Sequence, residues 1–197
     1  MFDAIVLAGG AARRMQGVDK PALDVGGSTL LDHAVAAVAG ASLTVVVGPP
    51  RAVSREVIWR REEPVGGGPV AALAAAIGSV RADVVVVLAA DLPAIAPAVP
   101  VLVDALAAPG DVACLVDAGG RVNHLAAAWR TSSLRDALAR IGDPDGAPAR
   151  ALVAAVDMIE LPDLDGWGRD CDTWDELAAA RARQPSSITG STSRECR

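Results

Sequence analysis

Three positive side chains follow a pair of glycines directly behind the first apolar run of the chain. The stretch GGAARRMQGVDKPAL starts with Gly9 and Gly10 and then supplies Arg13, Arg14 and Lys20. Glycines lack a Cβ atom, so their backbone N–H groups can approach an anion closely, and the cations add opposite charge. The combination predicts a loop that holds a polyphosphate. The alternative is a surface loop whose charges are solvated.

Lys20 is the only lysine in a chain whose lysines and arginines number 18. A guanidinium is a planar fork, whereas an ammonium is a compact point charge that can approach one or two phosphate oxygens. Because arginine stands at every other basic position, the solitary lysine indicates a place that the fork does not fit. The sequence contains neither the P-loop pattern GxxxxGK[ST] nor the dinucleotide pattern GxGxxG, so neither of those phosphate sites is predicted.

Two further segments carry carboxylates that could meet a nucleotide. In EEPVGGGP, which begins at Glu62 and Glu63, three glycines precede a helix start, and the acids could accept hydrogen bonds from a base. A plain turn into a helix is the alternative. Asp91 follows the apolar run VVVVL, with Pro93 fixing the exit, and a carboxylate there is well placed to bind Mg²⁺.

A third acidic segment, DCDT, lies just before the last predicted helix. Asp170 and Asp172 offer carboxylates to a metal ion. Helix capping is the alternative: Asp172 or Thr173 could be the N-cap, with Glu176 closing a capping box. The two functions do not exclude each other.

The elements that must position these residues alternate along the chain. Apolar runs without polar alternation suit strands buried on both faces of a parallel sheet, and they are Ala4–Leu7, Leu43–Val47, Val84–Leu88 and Ala113–Val116. Helical patterns lie between and after them, at Leu30–Val38, Pro69–Ile77, Val99–Leu106, Ser133–Arg140, Ala149–Ala155 and Trp174–Arg183. This order predicts a three-layer α/β/α sandwich with a mostly parallel sheet, in which ligands bind at the carboxyl ends of the strands.

Composition limits the setting of this fold. The chain has 197 residues and 52% hydrophobic content with only 3% aromatics, which predicts one domain with an aliphatic core over residues 1–183. Residues 184–197 read as a polar, disordered tail. A net charge of −6 argues against a nucleic-acid binder. No run is long enough to cross a membrane, and the cysteines lack paired spacing, so we expect a cytoplasmic protein.

The motifs resemble those of a known enzyme family. LAGGAARRMQGVDKPAL is similar to the LAGGxSxRMGxDKxxL signature of nucleotidyltransferases related to the molybdenum cofactor guanylyltransferase. GGGPVAALAAAI resembles that family's GPLAGLxxAL helix, AADLP its xCDxP segment, and DCDTWDEL its NVNTPEDL. The matches occur in the family's order along most of the chain. The resemblance implies a Rossmann-like nucleotidyltransferase fold, an NTP substrate and Mg²⁺ as cofactor.

The resemblance also assigns roles to single residues. Arg14, Lys20 and Asp91 are the implied catalytic residues, with Arg14 and Lys20 meeting the phosphates and Asp91 holding the metal and touching the nucleotide. Glu63 falls where the family has an acid that contacts the base. Asp172 falls on the second asparagine of the family's NVN and is the second implied metal ligand. The implied backbone cradle for the nucleotide consists of Leu7, Ala8, Gly9 and Gly10.

Several positions depart from the family pattern. Ala12 replaces a small hydroxyl residue, and Gly48 stands where some members have an asparagine that contacts guanine. Trp174 replaces a proline, and the segment Arg121–His124 stands where His-Pro or Gln-Pro is usual. These departures leave nucleotidyl transfer intact and concern the choice of base and of acceptor. From the resemblance we expect GMP transfer from GTP to a phosphorylated acceptor, molybdopterin cofactor. Use of CTP or a sugar phosphate, or a regulatory module that binds a nucleotide without turnover, are the alternatives.

The expected reaction explains why the sequence shows no recognisable general base and no Ser/His/Asp set. A phosphate of the acceptor attacks the α-phosphorus in line and pyrophosphate leaves; because that phosphate is already ionised, no general base is needed. Catalysis then depends on positioning and on charge neutralisation by Mg²⁺ and cations. Of the two histidines, His33 lies in an apolar helix and is expected to pack there, while His124 is nearer the acceptor segment.

Overall fold

The computed structural model of the protein describes residues 1–9 and 17–183. Gly10 and Arg14 of the predicted phosphate loop, with Ala12 and Arg13, lie outside the described residues. The same holds for the predicted tail 184–197.

Nine strands and five α-helices make up the described fold. The strands are β1 Asp3–Leu7, β2 Asp24–Val25, β3 Ser28–Thr29, β4 Thr44–Val47, β5 Ile58–Arg60, β6 Val84–Ala89, β7 Val112–Val116, β8 Val122–Arg130 and β9 Met158–Pro162. The helices are α1 Leu30–Ala37, α2 Gly68–Ile77, α3 Ala98–Ala105, α4 Thr131–Ile141 and α5 Trp174–Arg183, with 3-10 turns at Lys20–Ala22 and Ala149–Val153.

Seven of the strands form one sheet in the order β5-β4-β1-β6-β8-β7-β9. β8 is antiparallel to both of its neighbours, β6 and β7, and the other pairs are parallel. β1 lies between β4 and β6 and is buried throughout, which explains why every residue of it after Asp3 is apolar. Because these three strands run the same way, their carboxyl ends meet at one edge.

Helices cover both faces of this sheet. Ala4 and Val6 of β1 pack on the side of α1 and α3, while Ile5 and Leu7 pack on the side of α2 and α4. The side chains alternate between the faces because a strand has a period of two. The predicted three-layer α/β/α sandwich with a mostly parallel sheet is confirmed.

The fold differs from the sequence predictions at one helix, and the strands β2, β3, β5, β8 and β9 were not predicted. The predicted helix Ala149–Ala155 is a 3-10 turn, Ala149–Val153, which starts after Pro148 and is too short for a stable α-helix. The strand β8 was not predicted, because its alanines favour a helix in isolation. Its centre is buried between two strands, so the tertiary environment overrides that propensity.

The last helix brings the acidic segment back to the carboxyl edge of the sheet. Leu177 and Ala180 of α5 are buried with Val25 and Leu30 at the β2–β3 hairpin and the start of α1. The N–H of Cys171 donates to the carbonyl of Asp91 at 3.2 Å, which joins the segment before α5 to the exit of β6. Among the described residues, no helix combines the length and apolarity required to cross a bilayer.

Candidate active site

Lys20, Asp91 and Asp172 form one charged cluster at the carboxyl edge of the sheet. Lys20 is the first residue of the 3-10 turn. Its ammonium group donates to Asp91 Oδ2 and, at 2.6 Å, to Asp172 Oδ1. These residues come from three distant parts of the chain, and the lysine side chain is only 12% exposed. The fold thus brings together the lysine and both carboxylates that the sequence analysis selected separately.

The cluster keeps its lysine charged and holds excess negative charge. Burial by itself would lower the pKa of Lys20, but Asp91 and Asp172 outweigh it and raise the pKa above its ordinary value. The pKa of the nearby Asp170 carboxyl is raised by burial first and then by the charges of Asp172 and Asp91. Arg121 and Lys20 oppose that rise only in part. A further cation would therefore be favoured beside these carboxylates.

The donor set fits a metal that keeps other ligands besides protein. Asp91 Oδ1 is buried and has no hydrogen-bond partner in the described protein. Over residues 1–9 and 17–183, no group of three or more acidic, histidine or cysteine side chains is arranged to hold a metal. Mg²⁺ is commonly held by one or two carboxylates together with substrate phosphates and water. Two carboxylates and an orphaned oxygen match that requirement.

The backbone of Leu7, Ala8 and Gly9 lies beside this cluster and is fixed from both sides. The Ala8 N–H donates to the Val47 carbonyl at 2.8 Å, and the Ala90 N–H donates to the Leu7 carbonyl at 2.9 Å. These bonds continue the parallel ladders of β1 past its last residue. The backbone of the predicted nucleotide cradle is thus hydrogen-bonded to both neighbouring strands and forms a shelf that extends to Gly9, the last described residue before position 17.

Gly48 explains a departure from the family pattern. Its φ is +149°, and a Cβ atom there would lie 2.8 Å from the Ala8 carbonyl oxygen and 3.2 Å from the Gly9 nitrogen. No side chain fits at this position unless the shelf moves. The asparagine that the resembled family carries here in some members therefore has no room at this position in the present chain.

The neighbouring glutamates occupy different environments. Glu63, the predicted base-contacting acid, is exposed, whereas Glu62 is 7% exposed. Glu62 Oε1 accepts from the Gly66 N–H at 3.1 Å and lies 3.5 Å from where a Cβ on Gly9 would be, and Oε2 is buried without a partner. The carboxylate beside the cradle is that of Glu62. The sequence offered no pattern that distinguishes the two acids.

The capping alternative for the acidic segment is resolved by the contacts at the start of α5. The Glu176 N–H donates to Thr173 Oγ1 at 3.2 Å, and Glu176 Oε2 accepts from the Thr173 N–H at 2.8 Å. Thr173 and Glu176 therefore form the capping box. Asp172 is instead the partner of Lys20. His33 packs as expected, with Nε2 at 2.8 Å from the Val25 carbonyl oxygen.

A cavity of about 980 Å³ opens on the other side of Asp91. Its wall includes the start of β8, the 3-10 turn Ala149–Val153 and a segment that we name the 163–169 loop. Arg121, Arg150 and Arg169 face it together with Asp170 and several other carboxylates. The mixture of charges suits an acceptor that carries both an anionic group and hydrogen-bond donors.

His124 also lines this cavity. Its Nδ1 is buried and has no hydrogen-bond partner in the described protein. Burial lowers the pKa of His124, and the charge of Arg150 lowers it further. The ring is therefore neutral near neutral pH, and it can contact an acceptor as a hydrogen-bonding group.

The 163–169 loop is held against the cavity by two side chains. Asp163 accepts from the Trp167 N–H at 2.7 Å and from the Gly168 N–H at 2.9 Å. Asn123 Nδ2 donates to the Gly168 carbonyl at 2.8 Å. A Cβ atom on Gly168 would lie 3.0 Å from a methyl of Leu115, so the loop packs closely on β7. The sequence analysis did not identify this loop.

The site combines a glycine shortly after the first strand, a lysine between two carboxylates and an adjoining cavity, which is the arrangement that the motifs of a nucleotidyltransferase predict. The family model described as the MobA-like NTP transferase domain matches residues 4–160. Residue identity to the molybdenum cofactor guanylyltransferase of Acidiphilium cryptum is 36% over 151 residues, which is 73% of this chain and 74% of that relative. The chain belongs to the MobA-like NTP transferase family, as its motifs predicted, and is an enzyme of nucleotidyl transfer.

Solved structures share the whole architecture. The molybdopterin-guanine dinucleotide biosynthesis protein A of Archaeoglobus fulgidus superposes with a TM-score of 0.70 at 21% identity, over 91% of this chain and 97% of its own. The 2-C-methyl-D-erythritol 4-phosphate cytidylyltransferase of Thermus thermophilus gives 0.67 at 21% identity, over 92% and 98%. The names of these proteins show that one fold serves different bases and acceptors, so the fold does not choose between them.

Proposed function

We propose that this nucleotidyltransferase moves GMP from GTP to the phosphate of molybdopterin, with Mg²⁺, and releases pyrophosphate. The observation that carries the proposal is the cluster of Lys20, Asp91 and Asp172 between the glycine end of β1 and the cavity. The α-phosphorus would lie over this cluster, with the nucleotide on the β1 side and the acceptor on the cavity side.

The chain's own residues would bind and orient both substrates. The N–H groups from Gly9 onward would hold the phosphates, since the Ala8 N–H is already used by the sheet. Lys20 would leave its carboxylates to meet the same phosphates, with Arg14 as the second cation of that loop. Asp91 and Asp172 would hold Mg²⁺, which neutralises charge on the phosphates when bound. The acceptor phosphate is already ionised, so in-line attack needs positioning and no proton acceptor.

Glu62 favours guanine over cytosine at the base position. Guanine presents two adjacent donors, N1–H and the 2-amino group, and a carboxylate accepts both. Cytosine presents one amino group beside an unprotonated ring nitrogen, which a carboxylate repels. Glu62 Oε2 is a buried acceptor without a partner, and filling it removes the cost of burial. Glu63, which the family resemblance assigned to this role, is the neighbouring candidate.

Pyrophosphate release tests the proposal directly. The protein is assayed with each NTP and Mg²⁺ against molybdopterin, methylerythritol phosphate and sugar phosphates. We expect release with GTP and molybdopterin, and loss of GTP preference in Glu62→Gln while Glu63→Gln, its matched control, resembles the wild type. Release only with CTP would contradict the choice of base. Nucleotide binding without release for any of these acceptors would contradict the proposed acceptor.

The setting of the reaction follows from the same proposal. The thiols of Cys114 and Cys171 are buried and unpaired, which supports a reducing compartment, the cytoplasm. The partners are the NTP and the phosphorylated acceptor, and no nucleic acid is involved.

A further inference from the structure

The side chain of Arg51 joins three segments around the nucleotide cradle. Its Nε lies 3.1 and 2.9 Å from the two carboxylate oxygens of Asp19, and its Nη2 donates to the same carboxylate. Its Nη1 donates to the carbonyls of Ala8 at 3.2 Å and Pro49 at 3.0 Å. Although the pair lies near the surface, the Arg51 side chain is only 17% exposed.

Two of these partners flank the predicted phosphate loop. Ala8 lies directly before Gly9, where the loop starts, and Asp19 lies directly before Lys20, where it ends. Arg51 itself follows β4, which ends at Val47. Gly48, the next residue, packs closely against the backbone of Ala8. One guanidinium therefore connects both ends of the loop to the sheet.

We propose that Arg51 is a positioning residue: acting through Asp19, it fixes the spacing between the cradle and Lys20 and so raises the affinity for the NTP. The proposal rests on the proposed function for the identity of that ligand. A bidentate guanidinium–carboxylate pair suits this role because it restricts orientation as well as distance.

The need for such a tie arises when substrate binds. In the described state Lys20 is held by Asp91 and Asp172, but it must exchange those partners for phosphate oxygens. The 3-10 turn that carries Lys20 would then keep its buried Pro21 and the bond from the Leu23 N–H to the Lys20 carbonyl at 3.0 Å. The ion pair of Asp19 and Arg51 also connects this segment to the sheet, and it stays intact when Lys20 changes partners.

A cation so near the loop could instead bind phosphate directly, and the contacts argue against that role. Each of Nε, Nη1 and Nη2 already has a protein acceptor. The hydrogen bond from Arg51, more than its charge, lowers the pKa of Asp19 despite some burial, so the partner stays ionised. The two roles make opposite predictions for the neutralisation of Asp19. If Arg51 positions the loop through Asp19, neutralisation weakens NTP binding. If Arg51 binds phosphate itself, neutralisation makes its guanidinium more available and strengthens NTP binding.

Calorimetric titration of GTP with Mg²⁺ distinguishes these roles. The variants are Arg51→Gln, Asp19→Asn and Arg51→Lys, with Arg55→Gln, an exposed arginine of the same loop, as the matched control. We expect Kd to rise about tenfold in Arg51→Gln and Asp19→Asn, as for loss of a hydrogen-bonded ion pair. Arg51→Lys should bind GTP as weakly as Arg51→Gln, because an ammonium group cannot form the bidentate pair with Asp19. Arg55→Gln should bind like the wild type, and the thermal midpoints of the nucleotide-free proteins should agree.

Wild-type affinity in both Arg51→Gln and Asp19→Asn, or tighter binding in Asp19→Asn alone, would overturn the inference. Amide hydrogen exchange of residues 17–25 without nucleotide provides a test that does not depend on the ligand. Faster exchange in Arg51→Gln and Asp19→Asn than in the wild type supports the tie, and equal exchange overturns it. A wild type that binds no NTP contradicts the proposed function, and the exchange result still decides the role of Arg51.

Discussion

At the ends of β1 and β4, the proposed nucleotide side, the backbone itself forms the surface. Across Asp91, on the proposed acceptor side, the cavity wall consists of side chains. On the first side, Gly48 and Gly9 permit close approach and Glu62 is the buried carboxylate beside them. On the second side, Asn123 and Asp163 hold the 163–169 loop by hydrogen bonds.

This difference explains why the nucleotide side leaves a recognisable motif and the acceptor side does not. A backbone surface requires glycines at set positions, because a Cβ atom would occupy the ligand's space or strain the chain. A wall of side chains can be built from many residue combinations. The comparison therefore predicts that changes on the two sides affect different substrates.

The largest effect is expected from Lys20, which serves the nucleotide side. Lys20→Met should lower turnover about a hundredfold or more, the usual scale for removing one electrostatic contact to a transition state. Lys20→Arg should also lose most activity, because the fork does not fit between two carboxylates. Steady-state pyrophosphate release measures both variants, and wild-type turnover in Lys20→Arg would contradict the argument from the solitary lysine.

The same variant sharpens the metal proposal. Because the ammonium occupies the space between Asp91 and Asp172, it competes with a divalent cation for their oxygens. Mn²⁺ alone, titrated without nucleotide, should bind more tightly to Lys20→Met than to the wild type. Equal binding would show that the metal uses other residues.

The second prediction tests the backbone surface at Gly48. Gly48→Asn should destabilise the fold by about 1–3 kcal/mol, as expected for a strained backbone position, and should weaken GTP binding because Ala8 and Gly9 must move. Urea unfolding and calorimetry measure the two effects. Gly27→Asn is the matched control, since Gly27 also has a positive φ, +89°, but has no atom within 4 Å of an added Cβ. Similar losses in both variants would mean that φ alone matters.

The third prediction concerns the acceptor side. Asn123→Ala removes the hydrogen bond to the Gly168 carbonyl, a contribution of about 1 kcal/mol, and leaves the 163–169 loop held by Asp163 alone. We expect KM for molybdopterin to rise about fivefold with the Kd for GTP unchanged. Weaker GTP binding in this variant would break the separation of the two sides.

The smallest effect is expected from the titration of His124. Its native pKa lies below the ordinary value of 6.5, so between the two values the unfolded chain binds the extra proton. The contribution of His124 to the free energy of unfolding should therefore fall as pH drops through this window and stay constant above it. Urea unfolding across the window should show a smaller dependence of the unfolding free energy on pH in His124→Gln, because that variant lacks the perturbed histidine. An unchanged dependence would mean that His124 is not perturbed.

Much of the nucleotide side was predictable from local patterns. The unbroken apolar sequences of β1, β4, β6 and β7 predicted buried strands, and their common direction predicted that Lys20 and Asp91 lie at one edge. The first inference depends on residues close in sequence, where backbone geometry and solvation act directly. The second follows from the alternation of strands and helices along the chain, which predicts a parallel sheet. The glycines were informative too, because the lack of a Cβ atom is a property of the residue itself.

Other features were decided only by the packing of distant segments. The alanines of β8 form a strand because β6 and β7 lie on either side of it, and that neighbourhood is invisible to local propensity. The burial of Glu62 rather than Glu63 depends on where the strand exit meets Gly9. Likewise Asp172 meets Lys20, and Arg51 meets Asp19, across long stretches of chain. From charge alone, each basic residue has many possible acidic partners. The fold selects among them because an ion pair needs both groups within a few ångströms.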